Sequence, residues 1–309
     1  MIIKNTVKTA LIILSTLSVV KALEKDALSH EAQGLPLVTI QQENREIIPV
    51  ILCGGVGSRL WPISREQRPK PFMKLSDGQS FLQKALLRGT ELPGVKKVMT
   101  VTNRDLFFQV RDEYEKAQPE LQHTFLLEPF ARNTAAAITL AALQAKADGK
   151  ENSLMLVLAA DHLIENQTNF KEAVLKASEL AKGGKLVAFG IEPTRPETGY
   201  GYIQARGNNI IKFVEKPNLE TATEYLESGD YVWNSGMFCF MPKTVLKEIS
   251  QHYREILLSS ERALTQAHKV AGDKVTQIDL SPEEFERVPI CPYRYCCYGK
   301  DTKCSSCSL

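Results

Sequence analysis

From Ile47 onward, short apolar runs alternate with stretches of helical pattern, and this alternation predicts an α/β fold built on a mostly parallel sheet. The runs at 48–52, 98–102, 124–127, 154–160 and 185–189 are rich in Val, Leu and Ile, as strands covered on both faces must be. Later strands are expected at 210–214 and 232–240. Helices are expected over the alanine-rich run ending at Ala147, over 170–181, and in two closing segments at 243–253 and 255–270. Asn133 or Thr134 would cap the first of these and Thr168 the second, because a side-chain oxygen there can accept from a first-turn amide.

Composition adds limits to this picture. The chain has 309 residues, 43% hydrophobic and 24% charged, enough for one sizeable core with appendages. Its 38 basic and 36 acidic residues nearly cancel, and no basic stripe interleaved with aromatics occurs, so a nucleic-acid partner is not expected. No repeat or low-complexity linker interrupts the pattern. Of the seven cysteines, Cys53 and Cys239 lie in apolar segments, where packing is the expected role. The other five crowd into 291–307. The adjacent Cys296 and Cys297, with no histidine following, make a poor tetrahedral zinc site.

The first strand runs into Cys53-Gly54-Gly55-Val56-Gly57-Ser58-Arg59-Leu60-Trp61-Pro62. This glycine-rich turn falls at the carboxyl end of a strand, where ligands bind in open α/β sheets. Gly54, Gly55 and Gly57 would let backbone amides approach phosphate oxygens. Arg59, Arg65, Arg68 and Lys70 supply cations that offset a nucleoside triphosphate's charge. The glycines alone fit an ordinary strand-to-helix turn equally well. Their spacing matches neither the Walker loop nor the dinucleotide fingerprint.

The ordered string from Gly54 to Arg65, followed by Arg68-Pro69-Lys70-Pro71-Phe72, resembles the signature of nucleotide-sugar pyrophosphorylases. The tryptophan after the Arg-Leu pair points to their mannose-1-phosphate guanylyltransferase branch. Later segments agree in order: Glu128-Pro129-Phe130-Ala131-Arg132-Asn133-Thr134, Ala159-Ala160-Asp161-His162, Glu197-Thr198-Gly199-Tyr200-Gly201-Tyr202, Phe213-Val214-Glu215-Lys216-Pro217 and Trp233-Asn234-Ser235-Gly236. The resemblance covers about residues 47–289. It implies a Rossmann-like three-layer nucleotidyltransferase domain that transfers GMP from GTP to mannose 1-phosphate, giving GDP-mannose and pyrophosphate.

What the resemblance implies for residues is specific. Arg59 and Lys70 would act on the triphosphate, with Gly54, Gly55, Gly57, Ser58, Glu128, Asn133 and Thr134 holding the nucleotide. Asp161 would bind Mg²⁺, Lys216 the sugar phosphate, and Gly199, Glu215 and Asn234 the sugar. Plainer readings stand beside these: Asp161 as a turn cap, His162 as structural, Glu215 and Lys216 as a solvated pair, Asn234 as a simple turn. A related pyrophosphorylase with another sugar or nucleotide, or an inactive nucleotide-sugar-binding protein, are the alternatives. No membrane partner is expected, and a homo-oligomer is left open.

Residues 1–46 form an N-terminal extension. Lys4 and Lys8 precede an apolar run at 10–20 that Lys21 ends, too short to cross a bilayer as a helix. Its layout is that of a secretory signal, with residues 1–22 as the exported leader. An amphipathic helix or a start placed too far upstream is preferred, since the implied substrates are cytoplasmic. After Pro289 the family continues with a segment like Ser-Ile-Asp-Tyr-Ala-Val-Met-Glu-Lys, whose aspartate is a second metal ligand. Here the chain reads ICPYRYCCYGKDTKCSSCSL. Read one base later with permissive codons, the stretch from Arg294 spells IDIAVMEKTPNVAVVA. The expected organisation is therefore a domain at 47–290 and a frameshifted tail at 291–309, with activity impaired. Asp279 and Asp301 are loose replacements for the missing carboxylate.

Overall fold

The computed structural model describes residues 46–54 and 69–293, with backbone alone at 2–3 and 11–13. Two short strands, β1 (Ile2–Ile3) and β2 (Leu11–Ile13), precede β3 (Ile47–Cys53). Then follow α1 (Phe81–Thr90), β4 (Lys97–Asn103), α2 (Phe107–Ala117), β5 (Gln122–Glu128), α3 (Asn133–Ala147) and β6 (Leu154–Ala159). The chain continues through β7 (Leu163–Ile164), α4 (Gln167–Lys182), β8 (Val187–Ile191), β9 (Tyr202–Arg206), β10 (Asn209–Val214), α5 (Leu219–Ser228) and β11 (Tyr231–Phe240). It closes with α6 (Pro242–His252), α7 (Arg254–Thr265), β12 (His268–Ala271), β13 (Val275–Asp279) and α8 (Pro282–Glu286).

The large sheet runs in the order β12, β13, β5, β4, β3, β6, β11, β8, β2, β10, β9. Neighbours from β13 through β6 pair in parallel, and β11 pairs antiparallel with both β6 and β8. Alternation along each central strand divides its side chains between two cores. Ile51 and Cys53 of β3 join Leu156 and Leu158 of β6 on the face covered by Leu82 and Leu86 of α1, Val110 of α2 and Phe170 of α4. Ile48, Val50, Met155 and Val157 face the opposite way, toward Ile138 of α3, Val245 of α6, Ile256 of α7 and Phe285 of α8. The architecture is thus the expected three-layer α/β arrangement with a mostly parallel centre. Among the described residues no helix is long and apolar enough to cross a membrane.

α3 is apolar all round because it lies between the sheet and α6 and α7, and alanine lets all of these approach closely. Its N-terminus departs from expectation. Neither Asn133 nor Thr134 caps it: Asn133 has φ 67°, its Oδ1 accepts from the Thr134 amide at 2.8 Å, and Thr134 Oγ1 accepts from the Tyr293 amide at 2.9 Å. The Ala135 amide donates instead to the Cys291 carbonyl at 3.1 Å, so a distant segment satisfies the first turn. The buried Tyr293 ring packs 4.8 Å from that of Phe238. α4 is capped by Asn166, two residues before the expected Thr168, through Asn169 N at 2.9 Å.

The second closing helix stops at Thr265, not Val270. Residues 268–271 pair with β13 from His268–Asp279 to Ala271–Thr276, because the free edge of β13 offers a full ladder to a segment with few packing contacts of its own. α1, missed from the pattern, starts with a capping box: Ser80 Oγ accepts from Gln83 N while Gln83 Oε1 accepts from Ser80 N. That Ser-x-x-Gln signal was readable in the sequence.

Candidate active site

β4 and β5 extend the sheet to one side of β3, while β6 lies on its other side. A crevice opens where such an order reverses, outside the carboxyl ends of the strands. Leu52 and Ala159 are paired across β3 and β6, so Gly54 and Asp161 each emerge two residues later, on opposite lips of that crevice. The Ala160 amide donates to Leu52 O at 3.2 Å, holding the lips together.

Lys70 reaches this point from the 3-10 turn Lys70–Phe72, which is anchored by buried Pro71 and Phe72. Its Nζ lies 2.9 Å from Asp161 Oδ2, and the two side chains are 17% and 41% exposed. Burial alone would raise the Asp161 pKa, but His162, which is charged only in the acid range where Asp161 titrates, and the charge and hydrogen bond of Lys70 outweigh it and hold the carboxyl below its usual value. His162 Nε2 is 3.6 Å from Asp161 Oδ1. Burial lowers the His162 pKa to about 4 despite Asp161, so the imidazole is neutral near pH 7.

On the β5 side, Glu128 is 6% exposed, and its Oε1 has no hydrogen-bond partner among the described residues. Burial raises its pKa to about 8. A Cβ on Gly54 would stand 3.3 Å from Glu128 Oε2, so the glycine lets the two strand ends close on each other. Cys53 is also buried there. Desolvation raises its thiol pKa to about 12, which removes it as a nucleophile.

On the β6 side, β11 carries Asn234 beyond the level at which β6 gives way to Asp161. A register shift between Asn234 and Phe238, with Gly236 at φ 71°, lets Asn234 Oδ1 accept from Gly236 N at 3.0 Å. Asn234 N donates to Gly201 O at 2.8 Å, and a Cβ on Gly201 would come within 3.0 Å of Glu215 Oε2. Gly201, Glu215 and Asn234 are therefore in one cluster. Lys216 adjoins it with φ 38° and its Nζ 3.5 Å from Glu215 Oε1. Gly199 is tied to Glu197, whose Oε1 accepts from its amide at 3.1 Å.

The candidates thus fall along one end of the sheet, from Glu128 on β5 to Asn234 on β11, four strand spacings or ~19 Å. Gly55, Gly57, Ser58, Arg59 and Trp61 lie outside the described residues, as do Asp301 and the tail from Arg294. Asp279 stands at the outer edge of this row, opposite Leu127 of β5. It ends β13, four strand spacings (~19 Å) from β6, and is paired with Arg104 Nη2 at 2.6 Å. One residue escaped the sequence reading altogether: Arg88, buried beneath the Asp161–His162 turn, with Nη2 donating to the His162 carbonyl at 3.0 Å. An arginine in a helix's last turn reads as a solvated cation, and no sequence signal marks this one as buried.

Residues 48–277 match the nucleotidyl transferase family. The mannose-1-phosphate guanylyltransferase of Klebsiella pneumoniae is 45% identical over 231 residues, covering 72% of this chain and 48% of that protein. The alginate biosynthesis protein AlgA of Pseudomonas aeruginosa is 41% identical over 242 residues, 74% of this chain and 50% of its own. The chain spans about half the length of the curated relatives it matches. Among solved structures, a Thermus thermophilus protein described as mannose-1-phosphate geranyltransferase superposes with a TM-score of 0.70 at 33% identity, over 84% of this chain and 72% of that one. A Helicobacter pylori mannose-6-phosphate isomerase gives 0.72 at 29%, over 84% and 95%.

Proposed function

The chain belongs to the nucleotidyl transferase family, and from that membership we propose that it transfers GMP from GTP to mannose 1-phosphate, yielding GDP-mannose and pyrophosphate. The Lys70–Asp161 pair at the β3/β6 crevice carries this reading, and the relatives named as mannose-1-phosphate guanylyltransferases supply the substrates.

The phosphate of mannose 1-phosphate attacks the α-phosphorus of GTP in line, and the β,γ-pyrophosphate departs. The nucleophile is already an anion, so no protein base or covalent intermediate is needed, and catalysis rests on position and charge. Lys70 and Arg59 neutralise the triphosphate and its leaving group. The glycines of the loop offer amides to phosphate oxygens, while Glu128, Asn133 and Thr134 flank the nucleotide. Glu215, Asn234 and Gly199 orient the sugar, and Lys216 meets its phosphate.

Mg²⁺ fits this site, because that ion is commonly held by one or two carboxylates plus substrate phosphates. Asp161 is a partly exposed carboxylate kept ionised beside a cation. Once bound, the ion would offset charge building on the phosphates. A cytoplasmic setting, where both substrates occur, is part of the proposal. So is the division into an extension at 1–46, a catalytic domain at 47–290 and a tail at 291–309, with Cys291 and Tyr293 packed into the domain's core.

One observation favours a second reading, nucleotide binding without turnover: Asp279, a candidate second carboxylate, is paired with Arg104 at the end of β13, four strands from the β6 end that leads to Asp161. Pyrophosphate release from GTP with mannose 1-phosphate and Mg²⁺, alongside calorimetric GTP binding, separates the two. Release specific to this pair supports the transferase. Binding with no release supports the second reading, and neither sinks both.

A further inference from the structure

Arg88 lies in the last turn of α1 and is 2% exposed. Among the described residues no carboxylate pairs with it. Its Nη2 makes the bond to the His162 carbonyl, its guanidinium stands 5.8 Å over the Phe170 ring, and its Nε and Nη1 have no hydrogen-bond partner among the described residues. Burial lowers its pKa to about 10, so the cation persists at neutral pH.

Such a group is costly to bury, and a well-packed apolar residue of similar volume is often neutral or stabilising in its place. The packing that brings it here is specific. A Cβ on the neighbouring Gly89 would stand 2.9 Å from Pro49 Cβ and 3.3 Å from Leu158 Cδ1, so α1 lies close against β3 and β6 and delivers Arg88 beneath the end of β6. The acceptor it finds is the backbone of the turn that carries Asp161. The peptide after His162, one residue beyond Asp161, is thereby anchored by Arg88, while Lys70 holds the Asp161 carboxylate.

We infer that Arg88 is a positioning residue for the proposed metal carboxylate, fixing the Asp161–His162 turn so that Asp161 faces the nucleotide phosphates. The inference rests on the transferase reading, and it requires that the charge be dispensable for folding.

The test uses the full chain with Arg88→Met, which keeps bulk but removes donor and charge, and Arg88→Lys, which keeps one donor. Calorimetric GTP binding is titrated with Mg²⁺, and kcat and KM are measured separately. The expected result is a folded Arg88→Met protein, with a melting temperature at or above that of the wild type. Its Mg²⁺ requirement for GTP binding rises at least about tenfold, the scale on which supporting residues alter metal affinity, and Arg88→Lys recovers most of the loss. A folded Arg88→Met protein with unchanged Mg²⁺ dependence would overturn the inference, as would failure of that variant to fold. A wild-type chain that binds no GTP at any Mg²⁺ concentration would overturn the transferase reading first, and the inference with it.

Discussion

Lys70 Nζ and Asp161 Oδ2 lie 2.9 Å apart although 91 positions separate them in the chain. The pair is partly exposed, so its worth to stability is small, roughly 0–1 kcal/mol. On the proposed reading its worth to phosphate chemistry is larger. Lys70→Met is expected to lower kcat/KM by about 10²–10³-fold while leaving the melting temperature nearly unchanged, and Asp161→Asn to abolish the response to Mg²⁺. Pyrophosphate release against Mg²⁺ concentration measures both. Unchanged turnover in Lys70→Met would remove Lys70 from the site.

Glu128 predicts a pH effect of definite sign. Burial raises its folded pKa from 4.5 to about 8, so between these values the folded chain binds a proton that the unfolded chain has released. Stability contributed by Glu128 is therefore lost as pH rises from about 4.5 to 8 and is level above that. Glu128→Gln does not titrate. Its stability relative to wild type should climb across this window by on the order of 3–5 kcal/mol, as read by urea unfolding at pH 5 and pH 8. A constant difference between the two proteins would show that the carboxyl titrates normally.

Asn133 and Lys216 are the described non-glycine residues with positive φ, and both are substrate-site candidates. Asparagine tolerates the left-handed region better than most residues. Asn133→Ala should cost about 1–2 kcal/mol of stability, whereas Asn133→Gly should cost little. Both should weaken GTP binding if the side chain meets the nucleotide. Equal unfolding midpoints for the two variants would contradict the backbone argument.

Gly89→Ala pits propensity against packing. Alanine in a helix gains about 1 kcal/mol over glycine, yet the added methyl would meet the rigid ring of Pro49 at 2.9 Å. Overpacking of this kind costs ~1–3 kcal/mol, so the variant should melt at a lower temperature. A higher melting temperature would mean that α1 can shift away from β3.

The central strands were legible because each is a short run of apolar or β-branched residues covered on both faces. The β12–β13 hairpin was not, since the residues of β12 are exposed and carry no apolar alternation. Caps were misassigned where a tertiary partner intervened: Thr134 looked like a cap, but its hydroxyl serves Tyr293. Of the site, Lys70 was legible as one of several cations past the glycine turn, and Asp161 only as a piece of a family signature. Nothing in their spacing shows that they touch, and nothing in an isolated arginine shows that it lies buried under a turn.

The strand order also has a consequence for synthesis. β5 is flanked on its outer side by β13, with His123 opposite Val275, so its partner is translated 152 positions later (275 minus 123). At ~5–20 residues per second this leaves the outer edge of β5 unpaired for roughly 8–30 s on the ribosome. An open strand edge is a template for mispairing, and here the strand left waiting is the one that ends in Glu128.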